Sequence, residues 1–216
     1  MDITRGIAMA VVFAFVAACG GAERVPDPSV APTDDPVVAL DVPVGPVLFE
    51  PEQIILPPEE FPLADFAVSR DEPLTAHAWE RQFVSSASPD FKWFTVRLFV
   101  LEPDVSSTTF IDENGCDTVR WPDERPDVRE VDASPSGDGA RACRYEFSDG
   151  LRVLYHMTGY RNVGIVVGAQ PRRAEMTDRL SLDWLAAMAR HQIAIIGRVL
   201  VTYPPPKIDS LGSPDR

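Results

Sequence analysis

Apolar and polar positions alternate most clearly between residues 91 and 169. From 91 to 101, Phe94, Val96, Leu98 and Val100 share one face of an extended segment with Lys92, while Trp93, Thr95, Arg97 and Phe99 share the other. Successive side chains of a strand point to opposite faces, so apolar groups on both predict a strand covered on both sides, the central one of its sheet. Farther on, Cys143, Tyr145 and Phe147 alternate with Arg144 and Glu146, and Leu151, Val153, Tyr155 and Met157 alternate with Arg152, Leu154, His156 and Thr158. A third run covers 163–169, and Asp149-Gly150 and Gly159-Tyr160-Arg161-Asn162 supply the turns of an antiparallel meander. Gly164 and Gly168 fall on one side of its last strand, which predicts that a neighbouring helix, the one at 182–200, approaches the sheet closely there.

Helical spacing is predicted on either side. Asp71-Glu72-Pro73 places acids and a proline where a first helical turn favours them, and Leu74, Ala78, Trp79 and Phe83 follow at helical intervals, which predicts an N-terminal helix over 71–83. Over 182–200, Trp184, Leu185, Met188, Ile195, Ile196 and Val199 cluster on one face, with Arg179, Asp183, Arg190 and Arg198 opposite, and Thr177 or Ser181 stands ready as the cap. That face suits packing on the sheet; a helix lying on a membrane surface, the alternative, usually has a lysine-rich polar side. Pro103 stops the 91–101 strand, and Ser106 or Ser107 caps a short helix that ends at Asn114-Gly115. The stretch 117–140 reads as a long irregular loop with a strand hidden at 128–132. The fold class is then α+β: an antiparallel sheet of four to five strands with an amphipathic C-terminal helix packed on it and an N-terminal helix, in a single domain over 57–203.

The flanks lack such periodicity. Residues 204–216 follow a run of prolines and read as a disordered tail. Residues 19–56 form a proline-rich tether whose first part, to Pro36, has too few large side chains to offset chain entropy; in polyproline II it reaches roughly 50 Å. From 37 to 56 the apolar groups Val37-Val38, Val47-Leu48-Phe49 and Ile54-Ile55-Leu56 predict that part of it packs along the domain as an edge segment. At the very start, an apolar run over 7–18 follows Arg5 and is too short before Gly20-Gly21 for a spanning helix, which needs about 20 residues. It ends in Val16-Ala17-Ala18-Cys19, small side chains followed by a cysteine, as a signal peptidase groove requires.

That arrangement resembles the signal peptide of bacterial lipoproteins. The resemblance implies that residues 1–18 are removed, that Cys19 is lipidated as the first mature residue, and that the protein is held on the extracytoplasmic side of a cell-envelope membrane. Two or more acyl chains suffice for such an anchor at about 0.8 kcal/mol per buried methylene. A secretory signal cut elsewhere and a buried core helix are the competing readings. With Cys19 lipidated, Cys116 and Cys143 remain of three cysteines, an even pair in an oxidising compartment, and are expected to bond. Their loop of about 27 residues is worth roughly 3.5 kcal/mol in the chain-entropy model. Two buried thiols are the alternative; no CxxC spacing supports a redox role.

A formal charge of −13 without a basic stripe sets nucleic acid aside as a partner. His77 and His191 fall on predicted helices and His156 on a strand, with no zinc-pair spacing, no nucleophile elbow and no phosphate-cradling glycine loop. No catalytic residue, metal or cofactor is therefore assigned. Asp112, Glu113, Asp117, Asp123, Glu124 and Asp127 offer carboxylates for calcium but lack the regular acids and fixed glycine of a known calcium loop, so a solvated acidic loop is expected. The order of elements is loosely similar to extracytoplasmic lipoproteins of the PsbP-like or kinase-sensor-like kind, a likeness of architecture alone. The expected function is a membrane-anchored binding or protein-interaction module, its partner an envelope protein or small ligand. An enzyme acting on an envelope substrate and a structural spacer subunit are the alternatives.

Overall fold

The computed structural model describes residues 45–116, 125–172 and 178–203. Its strands are β1 (Ala67–Thr75), β2 (Ala78–Val84), β3 (Phe91–Val100), β4 (Asp127–Val131), β5 (Ala140–Glu146), β6 (Arg152–Tyr160) and β7 (Val163–Pro171). The helices are α1 (Pro51–Ile54), α2 (Ser107–Glu113) and α3 (Asp178–Thr202). All seven strands join one sheet in the order β1-β2-β3-β7-β6-β5-β4, and every neighbouring pair is antiparallel. Two meanders, β1-β2-β3 and β4-β5-β6-β7, thus meet along β3 and β7.

The α+β class fits, but the sheet has seven strands where four to five were expected, and the N-terminal helix over 71–83 does not exist. That stretch is most of the β1-β2 hairpin. Pro73 is tolerated there because β1 is an edge strand and its register slips between Pro73 and Thr75. Asp71 does not open a helix; it accepts hydrogen bonds from Trp79 Nε1 at 2.6 Å and Arg81 at 2.8 Å across the hairpin. His77 lies in the turn between the two strands. The central strand is β7, with β3 beside it. The strand sought at 128–132 is β4, paired to β5 from Asp127↔Glu146 to Val131↔Ala142.

Each face of the sheet has its own cover. On one, Phe83, Phe94, Val96, Leu98, Leu154, Ile165 and Val167 pack against Leu182, Leu185, Met188 and Ile196 of α3. Residues from Val47 to Leu56 complete this layer, with Val47, Ile54, Ile55 and Leu56 buried. They lie over the face and not along an edge, and side chains hold them. Gln192 of α3 accepts from the Leu56 amide at 2.7 Å and donates to the Ile54 carbonyl at 2.6 Å, while Arg81 donates to the Leu56 carbonyl at 2.7 Å. On the other face Phe110 and Ile111 of α2 pack on Cys143, Tyr145, Tyr155, Met157 and Val166.

Gly164 and Gly168 face this second layer: Gly164 admits α2 and not α3, and Gly168 makes room for a side chain of the neighbouring strand and for no helix. A Cβ at Gly164 would lie 2.5 Å from the Phe110 ring, and one at Gly168 would strike the ring of Tyr155. Ser106 caps α2 by accepting from the Thr108 amide at 3.2 Å, and Asn114 closes it by donating to the Phe110 carbonyl at 2.8 Å. Gly115 is not left-handed. Helix α3 starts at Asp178, so Ser181 is a buried residue of its first turn and no cap. Thr177, like 1–44 and 204–216, lies outside the described residues.

Candidate functional site

Cys116, just past α2, and Cys143, on β5, form a disulfide with Cα atoms 5.4 Å apart, as their pairing in sequence leads one to expect. The bond fastens the end of α2 to the sheet. Tyr145 on β5 adds a hydrogen bond to the Cys116 carbonyl, and Arg141 donates to the carbonyls of Ile111 at 2.6 Å and Asn114 at 3.1 Å, satisfying the open end of the helix. Cys19 lies outside the described residues.

The three histidines stand apart. His77 is exposed at the β1-β2 turn. His191 on α3 sits 3.2 Å from the Glu60 carbonyl oxygen, with the Glu60 carboxylate shared by Arg198. His156 on β6 is fully buried beneath α3, with Nε2 2.5 Å from Ser136 Oγ. Burial, then the charge of Arg190, pull its pKa down to about 4. Among the described residues no carboxylate orients it, since Nδ1 has no partner there. A serine beside a histidine has the makings of a nucleophile and its base, but here both are sealed under a helix. The pair instead docks the 132–139 loop, along with the Thr158 hydroxyl, which donates to the Ser136 carbonyl, and Arg190, which donates to Pro135 at 3.1 Å.

Two charged clusters are less enclosed. On the α2 side of the sheet, the carboxylate of Glu80 is buried between Arg70, at 3.2 Å, and Arg97, which also lies over the Tyr155 ring at 5.8 Å. Each charge there has a partner, and burial raises the pKa of the Tyr155 hydroxyl. The second cluster lines a cavity of about 410 Å³ at the end of the sheet where the β5-β6 turn meets the end of β7. Its walls are Arg144, Glu146, Gly150, Leu151, Arg152, Pro171 and Arg172. Arg144 pairs with Glu146 and with Asp178 at 2.9 Å, and these carboxylates hold its pKa above the ordinary arginine value. Arg152 reaches the other oxygen of Asp178 at 3.0 Å.

Sequence reading did not find this cavity. Arg144 and Arg152 appear in the chain only as the polar members of two alternating strands, and their meeting with Arg172, just past β7, depends on β6 pairing with β5 on one side and β7 on the other. Among the described residues no group of three or more histidine, cysteine or acidic side chains is arranged to hold a metal. Of the acids considered for calcium, Asp117, Asp123 and Glu124 lie outside the described residues, while Asp127 pairs with Arg129 at 2.9 Å.

No family model and no curated protein matches the chain. Among solved structures it is similar to a mutant of Protein Mog1, at 13% identity over 65% of this chain and 85% of that one, with a TM-score of 0.29. A likeness that slight carries neither fold nor function across.

Proposed function

We propose that this protein is an envelope lipoprotein: acyl chains on Cys19 hold it to the extracytoplasmic side of a membrane, and its sheet domain acts by binding a partner protein or small ligand. The observation that supports this most is the Cys116–Cys143 bond. Disulfides persist in oxidising compartments and are rare in the cytosol, so the bond agrees with the export signal that Val16-Ala17-Ala18-Cys19 resembles. It also occupies two of the three cysteines, leaving Cys19 for lipidation. Binding is favoured over catalysis because His156, which sits beside Ser136, is buried, while Arg144, Glu146, Arg152 and Arg172 line an open cavity.

The reading is tested by labelling cells with radioactive palmitate and taking the mass of the mature N-terminus. Label in the native chain, a mature start at Cys19, and loss of both label and membrane retention in Cys19→Ser are expected. An unlabelled protein, or a mature chain that starts elsewhere, would overturn it.

A further inference from the structure

We propose that the cavity between the β5-β6 turn and the end of β7 is a binding site for a small oxyanion, a phosphate or carboxylate group, with Arg172 as its principal ligand. This deepens the binding reading above and is independent of the lipid anchor.

The inference turns on how the three guanidinium groups differ. Arg144 and Arg152 are bound to Glu146 and Asp178, which neutralise most of their charge and fix their positions in the wall. Arg172 has no such carboxylate among the described residues. Its Nε donates to the Phe91 carbonyl at 3.4 Å, one terminal nitrogen donates to the Ser85 carbonyl, and its backbone amide donates to the Asp90 carbonyl at 2.7 Å. These acceptors are neutral, so the side chain is held in place with its charge intact. An arginine has five N–H donors in a rigid fork, and only two of Arg172's are used by these contacts. Both the fork geometry and the delocalised charge match an oxyanion, and a side chain already held in position gives up less entropy when a ligand arrives.

The surroundings set the size of the ligand. With 33 acidic residues against 20 basic ones, the chain as a whole repels extended polyanions. Among the described residues the cavity wall carries three arginines and Glu146, with Asp178 paired to two of the arginines, a local excess of positive charge. The volume of about 410 Å³ suits a small solute, and Leu151, Pro171 and Gly150 give it partly apolar walls.

The test is isothermal titration, without detergent, of the unacylated Cys19→Ser protein with inorganic phosphate and with citrate, together with its flotation on phosphatidylglycerol and phosphatidylcholine vesicles, so that the acyl anchor contributes to neither readout. Saturable binding with Kd below about 1 mM is expected, weakened at least about tenfold in Arg172→Gln, a loss of roughly 1.4 kcal/mol. Arg172→Lys, which keeps charge without the fork, is expected to fall between the two and decides the matter should Arg172→Gln lose its folded circular-dichroism spectrum. Preference for phosphate over citrate, or flotation with phosphatidylglycerol alone, identifies the source of the oxyanion. Absence of saturation in every arm, or equal affinity in folded Arg172 variants, overturns the site. Palmitate labelling is unaffected by either result, so failure here and failure of the anchor are told apart.

Discussion

Ser136 Oγ and His156 Nε2 lie 2.5 Å apart with both side chains buried, and this contact ties the 132–139 loop to the middle of the sheet. The imidazole is neutral in the folded protein because its pKa falls from 6.5 to about 4 through burial and the charge of Arg190. In the unfolded chain it takes up a proton near its ordinary value. The unfolded state therefore binds more protons between those two pH values, and stability falls as pH drops through that window.

Each pKa unit is worth about 1.4 kcal/mol, so the full loss from this group approaches roughly 3 kcal/mol once pH reaches about 4. The measurement is urea unfolding of the wild type and of His156→Leu at a series of pH values from neutral to 4. The variant is less stable at neutral pH, because Ser136 loses its partner, but its stability declines less steeply. Parallel pH curves for the two proteins would show that His156 takes no part in the acid response.

The β5-β6-β7 meander was legible because its signals agree: alternation along β5 and β6, a short continuous apolar run at β7, and turns whose residues suit a reversal. β1 and β2 were not, for a definite reason. Trp79 and Phe83 are four apart, a spacing that puts two residues on one face of a helix and on one face of a strand alike. The residue that separates the two cases is Arg81, which shares their face in β2 and is buried because Asp71 and the Leu56 carbonyl receive it. A buried, paired arginine reads in sequence as an exposed one. Glu80 misleads in the same way, buried between Arg70 and Arg97. The long C-terminal helix was readable from its wide apolar face, whereas α2 and α3 cover opposite faces of β7, and which face carries Gly164 and Gly168 depends on the register of the sheet.

That placement yields a second prediction. Gly164 lets Phe110 lie directly against β7, and a methyl group there would be 2.5 Å from the ring. Phe110 cannot retreat far, since Ser106 and Asn114 fix the ends of α2 and the disulfide holds the chain just beyond it. Overpacking of this kind costs typically 1–3 kcal/mol, so Gly164→Ala is expected to lower unfolding stability by about 2 kcal/mol. Combining it with Phe110→Leu is expected to recover part of that loss, giving a coupling of at least about 0.5 kcal/mol in a double-mutant cycle. Additive effects would mean that the glycine does not serve the approach of α2.

The third prediction concerns Asn162, at the turn between β6 and β7. Its Oδ1 accepts from the Val47 amide at 2.6 Å, and its Nδ2 donates to the carbonyls of Val47 at 3.0 Å and Leu101 at 2.9 Å. One buried amide side chain thus stands in for a strand neighbour, satisfying both backbone groups of Val47, a residue only 1% exposed. Arg161 adds a bond to the Gly45 carbonyl at 2.8 Å. In Asn162→Ala the Val47 N–H and C=O are left buried and unpaired, at a cost of about 1–3 kcal/mol for each group that water does not reach. Opening the 45–49 stretch is the less costly outcome, so local exchange should respond more than global unfolding. Hydrogen exchange at the Val47 amide is expected to accelerate at least about tenfold, corresponding to roughly 1.4 kcal/mol, while amides in the middle of β7 change less. If Val47 exchanges as slowly in the variant as in the wild type, the burial of Ile54, Ile55 and Leu56 against α3 holds this segment without help from the turn.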